Sequence, residues 1–143
     1  MTHDARQRLE AVLDREIEVA RQLAATLAAE RDALTGNSPT AAAEQAARKV
    51  ALLGTFAGLE GERSSIAEPH FFSQISDAAV QRWHDLMEVM AVCQKANEVN
   101  GYIINVRRAQ VRELIDVVRG GAAVTYGPQG KTFAKALRAL ARA

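Results

Sequence analysis

A chain of 143 residues with 48% hydrophobic but only 5% aromatic side chains has the length of one domain, and its alanine-rich balance suits closely packed helices rather than a β-sandwich. A single cysteine excludes an internal disulfide framework, and no apolar run approaches the roughly 18 residues needed to span a bilayer. The net charge of +1 hides an asymmetry: residues 131–143 hold Lys131, Lys135, Arg138 and Arg142 with no acid, which leaves the preceding 130 residues at −3. The first ten residues carry no apolar signal-like core, so the expected location is the cytoplasm.

The first predicted element is a helix over about 4–34, with Leu9, Val12, Leu13, Ile17, Ala20, Leu23, Ala24 and Leu27 on one broad face. Glu16, Glu30 and Arg31 encroach on the edge of that face, which argues for packing on one side only. Thr35-Gly36-Asn37-Ser38-Pro39 supplies a stop and a start, with Gly36 in a left-handed conformation, Ser38 as cap and Pro39 in the next first turn. So short a link forces an antiparallel return.

The second helix is expected over about 39–57, with Ala43, Ala46, Ala47, Val50, Leu53 and Phe56 inward and Arg48-Lys49 interrupting the face with charge. Gly58, Gly61 and Pro69 break the pattern, so residues 59–76 read as a connector whose Phe71, Phe72 and Ile75 plug the bundle end near Trp83. A third helix, about 76–119, has no proline and overhangs the shorter second. Trp83, Met90, Asn97, Ile104, Val111 and Val118 share one seven-residue period, and Leu86, Cys93, Asn100, Arg107 and Leu114 share its companion. Asn97, Asn100 and Gly101 interrupt this seam; the amides are expected to bond across to another helix and fix its register, with Gly101 permitting close approach.

Beyond Gly120-Gly121 the chain is expected to be a flexible tail, 120–143, with a short amphipathic helix at about 131–142 carrying Phe133, Leu137 and Leu140. A helix this short is marginal alone, so it must fold on something. The expected architecture is all-α: an elongated antiparallel three-helix bundle or coiled coil over 1–119, followed by that tail.

Arg48-Lys49-Val50-Ala51-Leu52-Leu53, Arg82-Trp83, Asn97-Glu98-Val99-Asn100-Gly101 and Thr125-Tyr126-Gly127-Pro128-Gln129-Gly130, in this order and spacing across nearly the whole chain, resemble the FlgN family of flagellar export chaperones. The resemblance implies a small helical protein, not an enzyme. It would bind the helical termini of hook–filament junction proteins, prevent premature assembly and present them to the flagellar type III export apparatus. The tail from Lys131 lies outside what the resemblance secures.

A protein that masks helical termini needs an apolar surface a helix can enter. Val111, Leu114, Ile115 and Val118 on the third helix are the candidate client site, and the tail with Phe133, Leu137 and Leu140 is expected both to join the client around it and to occupy it until the client arrives; the alternative is that the four helix residues pack on the first helix. Tyr126, an aromatic between Thr125 and Gly127-Pro128, has little core to join; the resemblance implies contact with the export apparatus.

Other chemistry finds little support. His3, His70 and His84 lack the spacing of a helical zinc site, Cys93 has no partner thiol, and the glycines make no phosphate loop, so no cofactor or metal is expected. Two rivals stay open. A helical enzyme would gather Arg48, Lys49, Arg107, Arg108 and Arg112 around a dianion, though no acid or base is evident. A helical adaptor would use the basic tail on an anionic membrane surface or nucleic acid; four cations without interleaved aromatics make nucleic acid an unexpected partner, and stable membrane insertion is not expected.

Overall fold

The structure, a computed structural model, describes residues 1–67 and 75–120. These form three helices with no strand among them: α1 (His3–Thr35), α2 (Pro39–Ala67) and α3 (Asp77–Val118). Phe71, Phe72, Tyr126, Phe133, Leu137 and Leu140, together with the short helix expected at about 131–142, lie outside the described residues.

Each boundary has a local cause. The Thr2 hydroxyl accepts the Ala5 amide at the start of α1, and Ser76 does the same for Ala79 at the start of α3, each satisfying one orphan helix donor. The end of α1 differs from the sequence expectation. Asn37, not Gly36, takes the left-handed conformation, with φ 55, while Gly36 sits at φ −78. The Ser38 amide reaches back to the Ala33 carbonyl and the Asn37 amide to that of Leu34, the double closure of a Schellman motif with asparagine in the usual glycine place. Gly36 matters for a different reason: a Cβ there would lie 2.9 Å from the Asp32 carbonyl oxygen.

α1 is the central helix. Pairs along α1 and α2 run in opposite directions, Glu16 with Arg63 and Glu30 with Lys49, whereas pairs along α1 and α3 rise together, Ala20 with Cys93 and Leu27 with Asn100. Thus α2 is antiparallel to α1 and α3 is parallel to it. No α-carbon of α2 lies within 8 Å of one in α3, so the two helices flank α1 without closing on each other. The core is contributed chiefly by α1, with Leu9, Val12, Leu13, Ile17, Leu23 and Leu27 against Leu59 and Ile66 of α2 and Leu86 and Cys93 of α3.

This arrangement corrects the expectation that α1 packs on one side. Glu16 and Glu30 are among its most buried side chains, 0% and 2% exposed, because their positions point inward under α2 and each meets a cation there. It also corrects α2, which continues ten residues past 57. A Cβ on Gly58 or Gly61 would touch nothing within 4 Å, so both lie on an open face. Their cost of about 1 kcal/mol each in a helix is met by burial of Leu59 and Ile66 and by the Arg63 ion pair. With Lys49 and Arg63 turned toward α1, the inward face of α2 is Leu52, Phe56, Leu59 and Ile66, while Val50 and Leu53 are exposed.

In α3 only one of the two seven-residue periods is buried: Ala79, Leu86, Cys93 and Asn100. Trp83, expected on the seam, is partly exposed, with the Arg63 guanidinium 4.7 Å above its ring. Gly101 does not serve close approach, since an added Cβ there would meet nothing within 4 Å. Ile75 packs against the core at the α1 N-terminal end.

Candidate functional site

Two polar posts fix α2 on α1. In the first, Arg63 Nε donates to both oxygens of Glu16 at 3.1 and 3.0 Å. Burial raises the Glu16 carboxyl above its usual range, and outweighs the opposing pull of Arg63. In the second, Lys49 Nζ donates to both oxygens of Glu30 at 3.2 and 3.1 Å and to Asn97 Oδ1 at 3.3 Å, while Asn100 Nδ2 donates to Glu30 Oε1 at 2.8 Å and to the Leu27 carbonyl at 2.9 Å. Arg31 Nε donates to Asn100 Oδ1, so both ends of that amide are used. Among the described residues every buried side-chain nitrogen and oxygen has a partner.

Both asparagines bond across to another helix as expected, but only Asn100 is buried; Asn97 is exposed and accepts a single bond from Lys49. Asn100→Leu should cost about 1–3 kcal/mol in urea unfolding, because it strips a donor from a buried carboxylate. Asn97→Leu should stay within about 0.5 kcal/mol of the parent, as surface substitutions do. Equal costs at the two positions would contradict this division.

Neither post resembles a reaction centre. Among the described residues no group of three histidine, cysteine or acidic side chains could hold a metal. The five cations proposed for a dianion site are not gathered in one place: Lys49 is committed to Glu30 and Arg48 is exposed elsewhere, while Arg107, Arg108 and Arg112 share a hollow near the end of α1. Cys93 is buried with its thiol pKa raised by desolvation, and its sulfur points at the Ala20 carbonyl, 3.4 Å away.

Among the described residues, apolar surface remains open for binding in several places. The first is the end of α3. The offset that pairs Ala20 with Cys93 and Leu27 with Asn100 brings the last residue of α1, Thr35, level with Arg108. Everything after it overhangs the α1–α2 turn by about 15 Å, at 1.5 Å per residue. Val111, Leu114, Ile115 and Val118 lie on this overhang, 42–84% exposed. Leu114, Ile115 and Val118 lie past the end of α1, and Val111 meets it only across a hollow shared with Leu34, which goes against the alternative in which all four pack on α1.

The second is a groove between α2 and α3, which the sequence did not point to. It has a volume of about 590 Å³, a floor of Leu23 and Leu27, and walls including Leu53, Met87 and Met90. Lys49 bonded to Asn97 closes one end; 14 residues along each helix, Arg63 over Trp83 bridges the same pair. The available signal was the matching spacing of Glu16 with Glu30 and of Lys49 with Arg63, which ties α2 to α1 at two points.

No described helix is long and apolar enough to cross a membrane. Searches for similar curated proteins and for similar solved structures return no match. A family model described as FlgN protein matches residues 1–133, and an all-α chain with an uncovered apolar helix end suits it. The match spans nearly the whole sequence, and the chain belongs to the FlgN family of flagellar export chaperones.

Proposed function

We propose that this chain binds the helical terminal segments of hook–filament junction proteins in the cytoplasm, keeps them from assembling prematurely and delivers them to the flagellar type III export apparatus. The observation that carries this reading is the overhanging stripe of α3. Large aliphatic side chains at 111, 114, 115 and 118 recur at the spacing of one helix face and are left substantially exposed by the described helices. A partner helix laid along them would gain burial that the chain itself does not provide, in the helix-in-groove mode. On this reading Phe133, Leu137 and Leu140 join the client from the tail, while Tyr126 docks on the export apparatus.

Calorimetric titration with junction-protein terminal segments tests the proposal. The full chain should bind, and a chain ending at Arg119 should bind measurably but more weakly. Equal affinity would confine the client site to α3 and remove the tail from it, and no heat from either would remove the reading. Tyr126→Ala should leave client affinity in solution unchanged; loss of binding would overturn its assignment to the export apparatus.

A further inference from the structure

We infer that the overhang of α3 selects amphipathic helices whose apolar ridge is flanked by carboxylates; this rests on the client-binding reading above and specifies the chemistry of the segment bound. Where α1 ends, Leu34, Ile104 and Val111 line a hollow of about 420 Å³, and Arg107, Arg108 and Arg112 complete its wall. The apolar stripe continues outward through Ile115 and Val118. With about 100° of rotation per residue, the three arginines fall within roughly 100° of Val111 around the helix. The acids of the same stretch, Glu113 and Asp116, fall roughly 140° or more away. Among the described residues none of the three arginines takes part in an ion pair. The docking face is therefore cationic and aliphatic, with its own carboxylates turned to the back.

Charge decides among the possible occupants. The amphipathic stretch of the tail, 131–142, carries four cations and no acid, so folding it back here would place like charges side by side. A second copy would bring the same arginines against themselves. A partner helix with glutamates or aspartates beside its ridge meets the guanidinium groups with opposite charge, and arginine suits carboxylates through its paired donors.

The test titrates the full chain with three synthetic helical peptides that share one leucine ridge and are flanked by glutamate, glutamine or lysine. At low salt the glutamate peptide should bind about tenfold tighter than the glutamine peptide, the sum of two or three exposed ion pairs, and the lysine peptide should bind weakest. The difference should shrink toward none at roughly 1 M salt. Arg108→Gln with Arg112→Gln should abolish the preference for glutamate over glutamine without lowering Tm. Equal affinities, a preference that survives the double substitution, or no binding of the glutamate peptide would overturn the inference. The two readings fail separately. Equal peptide affinities with junction-protein binding intact would remove only the charge selectivity. Absence of junction-protein binding with the glutamate preference intact would remove only the export-client assignment.

Discussion

Arg63→Met should destabilise the protein by about 3 kcal/mol or more at neutral pH, because it leaves the Glu16 carboxylate buried without its cation. The loss is expected to exceed the value of the pair itself. Glu16→Leu combined with Arg63→Met should return to within about 1 kcal/mol of the parent, since an apolar pair of similar volume avoids the desolvation of both charges. The pH dependence has a definite sign. Burial already raises the Glu16 pKa above its usual 4.5, and removing Arg63 takes away the group that opposes that shift. An acid whose folded pKa lies above its unfolded value contributes stability while protonated and loses it as pH rises through the folded pKa. The deficit of the single variant should therefore be small near pH 4.5 and grow toward neutrality. Urea unfolding followed by the fluorescence of the single tryptophan, Trp83, measures all three proteins. A deficit independent of pH, or a double variant no better than the single, would contradict the buried-charge account.

Leu114→Gln with Val118→Gln should reduce affinity for a junction-protein terminal segment by about a hundredfold, from the lost burial of two aliphatic side chains at a docking face. Stability should move by no more than about 0.5 kcal/mol, since both side chains lie beyond the end of α1 and are strongly exposed. Glutamine is nearly as good a helix former as leucine, so the overhang keeps its shape. Titration beside thermal melting separates the two effects. An unchanged affinity would remove the stripe from the binding surface, and a large fall in Tm would mean that these residues pack against part of the chain after all.

Much of this fold could be read from the sequence, and the failures have physical causes. The extents of α1 and α3 follow from long apolar periodicity uninterrupted by proline, and the Thr35–Pro39 link dictates the antiparallel return. The C-terminal end of α2 was obscured because Gly58 and Gly61 look like breakers in isolation; only the partners of Leu59, Arg63 and Ile66 reveal that the helix continues. Glu16 and Glu30 looked like surface charges because a buried acid is recognisable only beside its cation, and those cations lie 47 and 19 residues away along the chain. The stripe on α3 was visible as apolar, but its exposure depends on the axial offset between α1 and α3. That offset belongs to the pairing of two helices and to neither sequence segment alone.

The two posts also act as a ruler. Glu16 and Glu30 stand two heptads apart on α1, and Arg63 and Lys49 stand two heptads apart on α2. Much of the N-terminal part of α2 is alanine, whose uniform small side chains offer little shape by which to tell one alignment from the next. A slip of one heptad in either direction would set Arg63 against Leu23 or Leu9, and a slip of two would leave one of the cations without its acid. Neighbouring alignments that a smooth apolar interface would nearly tolerate thus each strand a charge in the core. α2 has one address on α1, and through it the groove beside α2 keeps a fixed position.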